Sequence, residues 1–167
     1  MSETEAQPQN AQQPLFSIEK IYVKDLSLEI PNAPQIFLER EQAKIEIGLH
    51  NSASTVDEGV FEVVLTVTVT AKVGEKTVFL AEAAQAGIFQ IRNVPATEIE
   101  AVLGIACPNV LFPYVRETIT DIVNRGGFPP VILAPVNFEA LYLQQRQQKE
   151  QAQQTQQTQQ AGELPIQ

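Results

Sequence analysis

The chain reads as an α+β protein: a four-stranded antiparallel sheet followed by helices packed on one of its faces. Three observations lead there. Alternating apolar and polar residues fill the first half. Helical spacing, with helix start and stop signals, takes over in the second half. The two kinds of segment are separated along the chain rather than interleaved, which is the α+β order. The ends differ in composition. Residues 1–14 are Gln, Glu, Asn, Pro and small residues, and from Gln144 to Gln160, 11 of 17 positions are Gln. Neither end carries the apolar area that offsets ordering entropy. The expected organisation is a disordered tail over 1–14, one folded domain over 15–145 and a disordered Gln-rich tail over 146–167.

The first strand is expected over Leu15–Ile30. Phe16, Ile18, Tyr22, Leu26, Leu28 and Ile30 share one parity, while Ile21 and Val23 fall on the other. Burial on two sides would produce that pattern, and so would a bulge that changes face. Ile30 to Phe37 holds two prolines around Asn-Ala, a stiff connection that cannot be central strand. Gln42–His50 alternates, with Ala43, Ile45, Ile47 and Leu49 on one face, and Asn51–Glu58 reads as a polar loop. Gly59–Val73 alternates longest, from Phe61 and Val63 through Val69 to Val73. Gly74-Glu75-Lys76 signals a tight turn. In the fourth strand, Val78–Phe89, Phe79 and Ala81 face one way and Val78, Leu80 and Glu82 the other. A return of the first strand beside the fourth gives the Greek-key order 2-3-4-1.

Thr97-Glu-Ile-Glu100 before an apolar run has the form of a capping box, opening a helix to about Cys107. Pro108 and Pro113 are expected to break or kink the helical segment beyond it. Leu111, Val115, Ile119, Ile122 and Val123 recur at helical spacing, and Gly126-Gly127 supplies the stop. Phe128–Pro135 is extended. Asn137 is suited to cap a last helix with Phe138, Leu141 and Tyr142 on one face.

Composition removes several function classes. The chain has 167 residues and a formal net charge of −9. The segment 15–143 holds 16 acidic and 9 basic residues, so the acidity belongs mostly to the fold. No cluster of Lys and Arg is present to bind nucleic acid. No apolar run approaches the roughly 20 residues that span a bilayer, and the N-terminus lacks the form of a signal peptide. One Cys and no export signal imply a reducing, cytoplasmic setting. The single His50 and single Cys107 form no metal-ligand spacing, no glycine loop cradles phosphate, and no titratable cluster suggests an enzyme. No cofactor is expected. Apolar residues on both strand parities exceed the needs of one small core, which points to partner surfaces and to oligomerisation.

Several segments carry a resemblance. Phe16–Phe37 (FSIEKIYVKDLSLEIPNAPQIF), Val60–Ala71 (VFEVVLTVTVTA), Ala86–Gln90 (AGIFQ), Leu103–Arg125 (LGIACPNVLFPYVRETITDIVNR) and Leu133–Leu141 (LAPVNFEAL) resemble the SecB family of protein-export chaperones, in family order over about residues 15–145. The resemblance implies a homotetramer built as a dimer of dimers. It also implies a cytoplasmic, ATP-independent chaperone that holds unfolded precursor proteins and delivers them to the SecA motor, with no nucleotide or metal of its own and no membrane insertion. A second reading on the same fold is a chaperone serving a toxin–antitoxin pair.

Two sites are expected. Asp25 and Glu29 point to one face of a strand about 13 Å apart. With Leu80 and Glu82 beside them they would form an acidic surface with an apolar centre. The resemblance implies that these four positions receive the basic, zinc-bearing SecA tail. The unfolded-client groove is expected among Ile36 and Phe37, the strand face Ile45, Ile47 and Leu49, and the last-helix residues Phe138, Leu141 and Tyr142.

Overall fold

The structure is a computed structural model and describes residues 12–161, with side-chain surroundings to residue 155. Residues 1–11 and 162–167, parts of the two expected tails, lie outside the described residues.

The four strands are β1 (Leu15–Glu29), β2 (Lys44–Asp57), β3 (Val60–Val73) and β4 (Lys76–Arg92). They form one antiparallel sheet in the order β1-β4-β3-β2, which is the order 2-3-4-1 read from the opposite edge. β3 and β4 sit in the middle and carry most of the core. On the inner face Val63, Leu65, Val67, Val69 and Ala71 lie beside Ala81, Ala83 and Phe89, all buried.

The mixed parity of β1 comes from bulges. The register to β4 shifts between Ile18 and Lys20 and again between Val23 and Asp25. Each extra residue flips the faces. Phe16, Ile18, Ile21, Val23, Leu26 and Leu28 therefore all face inward, opposite Ile91, Phe89, Gly87, Gln85, Ala83 and Ala81. Tyr22, which shares sequence parity with Phe16 and Leu28, faces outward opposite Ala86.

β2 corrects the expected loop at 51–58. The strand runs on to Asp57, pairing Asn51 with Leu65, Ala53 with Val63 and Thr55 with Phe61. As an edge strand it can carry polar residues, since the β3 ladder satisfies its backbone while its side chains stay wet. Gly59, at φ 68°, then makes the reversal into β3.

Helices α1 (Ala96–Ala101) and α2 (Cys107–Arg125) join through a π turn at Val102–Ala106 into one helix of 30 residues. Neither proline breaks it. Pro108 has no N–H and would crowd the carbonyl four residues back. The π turn just ahead of it re-spaces the ladder, with the Cys107 N–H donating to the Val102 carbonyl five residues earlier. The capping box is not made: Pro95 stands at the N-cap and the Glu98 N–H donates to its carbonyl at 2.8 Å. With Pro95 setting the start, Thr97 is already helical and its hydroxyl caps nothing. Joined in this way, Ala96–Arg125 is long and apolar enough to cross a bilayer by length and composition, unlike either half. It lies instead on the sheet, burying Cys107, Leu111, Val115, Ile119 and Val123 in the core.

Helix α3 (Phe138–Ala161) starts at Asn137, whose Oδ1 accepts from the Ala140 N–H at 3.0 Å. It continues past residue 145 through the Gln-rich tract. Gln is a fair helix former, so propensity allows this without burial.

Candidate functional site

The sheet presents two faces of different chemistry. On the inner side, near the ends of β2 and β3, a cavity of about 500 Å³ is left open. Ile36 anchors its wall, buried within a 3-10 turn over Gln35–Leu38. That anchor holds the next residue, Phe37, half exposed at the rim. Phe37 stacks on Phe128 with ring centroids 5.2 Å apart, and Phe79 meets Phe128 at 4.9 Å. Ile45 lines the same cavity, with Val78, Val131 and the acidic pair Glu39 and Glu41. Ile47 and Leu49 continue the row along β2, opposite Val69 and Val67. Ile47 is 51% exposed, a large aliphatic side chain open to a partner.

The structure thus brings Ile36, Phe37, Ile45, Ile47 and Leu49 together, and adds residues that sequence reasoning left out. Phe79 read as core. Phe128 read only as the start of the extended segment to Pro135. Its setting, Gly126-Gly127 before it and Pro129-Pro130 after it, was the available signal: the chain turns at Gly127 (φ 87°) and is then held extended, fixing the ring. The last-helix residues lie elsewhere. Phe138 is buried edge-on against Phe112 with centroids 5.9 Å apart. Leu141 packs against the core, and the Tyr142 ring covers Gly104 in the π turn so closely that a Cβ there would come within 2.7 Å of it. None of the three lines the cavity.

On the outer side the β1–β4 register sets Glu29 opposite Leu80, Ser27 opposite Glu82 and Asp25 opposite Ala84. The expected quartet Asp25, Glu29, Leu80 and Glu82 therefore shares one face. Glu29, Leu80 and Glu82 rim a recess of about 310 Å³ floored by Thr68 and Thr70. Among the described residues, Asp25, Glu29 and Glu82 make no ion pair and no side-chain hydrogen bond. Of the lysines around this face, Lys24 pairs with Glu62 at 2.8 Å, Lys44 with Glu46 at 3.2 Å and Lys76 with Glu39 at 3.7 Å, while Lys20 and Lys72 form no ion pair among the described residues.

One polar network on this face escaped the sequence. Glu62 of β3 accepts from the Tyr22 hydroxyl and from Lys24 Nζ, the latter at 2.9 and 2.8 Å to its two oxygens. The Lys24 ammonium first, and the Tyr22 hydroxyl second, hold the Glu62 carboxyl below its ordinary range. The same bond to Glu62 is the main cause that raises the Tyr22 phenol. Residues 40 apart give no local signal of such a contact.

Cys107 is buried in the core, and desolvation pushes its thiol up to about 12. A thiol so placed stays protonated and is a poor nucleophile. Among the described residues, no group of three or more His, Cys, Asp or Glu side chains is arranged to hold a metal.

The family model described as preprotein translocase subunit SecB matches residues 9–149. The protein-export protein SecB of Chromobacterium violaceum is 66% identical over 134 residues, 80% of this chain and 89% of its own length. Its namesake in Methylobacillus flagellatus is 63% identical over 147 residues, 88% and 93%. That of Aromatoleum aromaticum is 64% identical over 162 residues, 95% and 99%. Among solved structures, a SecB-like chaperone of Mycobacterium tuberculosis, in complex with a peptide from an antitoxin, superposes with a TM-score of 0.61. It is 18% identical and covers 72% of this chain and 90% of its own, a likeness of fold. By the match across its folded part and by these relatives, the chain belongs to the SecB family of protein-export proteins.

Proposed function

We propose that this chain is a cytoplasmic chaperone that binds unfolded precursor proteins without ATP, keeps them competent for translocation and delivers them to SecA. One observation carries the reading: the sheet keeps an open aromatic cavity on one face and unpaired carboxylates on the other. An unfolded client exposes aliphatic and aromatic side chains. Burying one contributes roughly 1.5–3 kcal/mol before ordering costs. Phe37, Phe79 and Phe128 supply a rigid pocket for one such anchor, and the row Ile45, Ile47 and Leu49 extends it along an edge strand. Affinity from a few anchors is modest, which suits release without a nucleotide. A homotetramer, a dimer of dimers, repeats the groove and raises avidity through effective concentration. The half-exposed apolar stripe Phe16, Ile18, Val23 and Leu26 on β1 supports such self-association. The acidic face, with Leu80 at its centre, fits the basic, zinc-bearing tail of SecA.

The test uses the full chain and a denatured precursor, with native mass spectrometry reading assembly and fluorescence titration reading affinity. Ile45→Asn with Phe128→Asn is expected to weaken client binding about tenfold or more while the tetramer persists. Unchanged client affinity in an intact tetramer would remove the cavity from the client site.

A further inference from the structure

We infer that Glu62 is a positioning residue for the acidic face: it holds Lys24 away from Asp25, Glu29 and Glu82 and so keeps those carboxylates free for a basic partner. The inference rests on the docking reading above and deepens it.

Lys24 is the residue next to Asp25 and occupies the second bulge of β1, between Val23 and Asp25. Its ammonium is half exposed on a flexible four-carbon stem, one residue along the chain from Asp25. Left free, it would pair with that neighbour or present a positive charge beside it, cancelling part of the field that draws in a basic partner. In the structure it does neither. It reaches across β4 to Glu62 of β3 and engages both carboxylate oxygens. Tyr22 reaches the same carboxylate from the same side. Along the way β4 presents the small buried side chains of Ala84 and Ala86 on this face, with Ile88 opposite Glu62 itself. Two donors fix the Glu62 carboxylate, whose side chain is only 15% exposed, and Glu62 fixes Lys24. The three carboxylates near the recess are left without a cation among the described residues.

The experiment compares charge-matched variants of the full chain binding a zinc-loaded peptide of the SecA C-terminal tail by calorimetry at low and high salt. Glu62→Gln releases Lys24 and is expected to weaken binding about threefold at low salt, with the difference shrinking at high salt. Adding Lys24→Gln to Glu62→Gln should restore the original affinity. Adding Lys20→Gln instead restores the same net charge but leaves Lys24 loose, so binding should stay weak. Recovery by both double variants alike would show a net-charge effect and overturn the inference, as would recovery by neither. Glu62→Asp keeps the charge but is one methylene shorter. It is expected to weaken binding in the same direction, and serves if Glu62→Gln melts below the assay temperature; wild-type affinity in a folded Glu62→Asp protein would count against the inference. A parallel charge reversal of Asp25 and Glu82 separates the two readings. If it leaves binding unchanged, the docking surface itself fails; if it abolishes binding while Glu62→Gln has no effect, only the role of Glu62 fails.

Discussion

Cys107 shows how burial alone can settle a residue's chemistry. It is the chain's single cysteine, and it sits in the core with its thiol pushed up to about 12. Alkylation by iodoacetamide at about pH 8, near the ordinary thiol range, is therefore expected only on unfolding; rapid labelling of the native protein, read by mass spectrometry, would contradict this. The sign of the linkage is equally clear. Folding favours the protonated thiol, so its contribution to stability is complete below the ordinary value of 9.0 and is lost as pH rises from there through about 12. Chemical unfolding at about pH 8 and about pH 10.5 should show the decline, and Cys107→Ala should flatten it. Glu62 runs the other way. Its carboxyl is held low by Lys24 and Tyr22, so that support is present above the ordinary carboxylate range and fades as pH falls through the depressed value.

At the scale of elements, β1 and the long helix carry the departures from simple periodicity. In β1 two bulges collect six apolar residues on the inner face although they occupy both parities. Deleting Lys24 would close the second bulge. Val23 and Asp25 would then follow each other in plain alternation opposite Gln85 and Ala84, so every side chain keeps its face while the strand loses the extra twist of the bulge and the Lys24–Glu62 pair. The midpoint of thermal unfolding is expected to fall by no more than about 3 °C, checked by circular dichroism; a fall of about 10 °C or more would mean that the bulge itself holds β1 on the sheet. In the helix, the π turn keeps the ladder running up to Pro108 and also serves as a junction. The Asn51 amide of β2 donates to the Leu103 carbonyl at 3.2 Å, and Tyr142 of α3 rests on Gly104. Sequence rules read prolines as breaks because they treat the ladder as strictly four residues apart. A single five-residue step removes the conflict, and no propensity scale announces it.

At the scale of the whole molecule, the two proposed sites lie on opposite faces of one sheet. The inner face keeps Phe37, Phe128 and Ile45 accessible beside a dense core, and the outer face holds three carboxylates that form no ion pair among the described residues. On the proposed reading, opposed faces would let a client and a basic partner be held at once. Reversing Asp25 and Glu82 to Lys is expected to weaken SecA binding about tenfold or more and flatten its salt dependence, while binding of a denatured precursor stays as it was. Loss of both activities together would mean that the two faces are not independent. The candidate site was legible to the extent that it lies on strands. Pleat alternation placed Asp25 with Glu29, Leu80 with Glu82, and Ile45 with Ile47 and Leu49, because side-chain direction in a strand repeats every two residues. Phe138 and Tyr142 were grouped with the strand residues but lie away from the cavity, because an apolar helix stripe states only that something is covered, not by what.

The sequence by itself determined the class of fold, the four strands, the strand order up to the choice of edge, the Asn137 cap, the acidity of the folded part and the family. These rest on local periodicity, local capping chemistry and composition, all written in neighbouring residues. Only the tertiary structure decided that β2 continues through its polar half, that β1 is bulged twice and that the helix runs on through Pro108. It alone joined Phe79 and Phe128 into one cavity with Phe37, and set Glu62 as the holder of Lys24. Each of these depends on a partner strand or side chain far along the chain, and such contacts form only when the sheet closes.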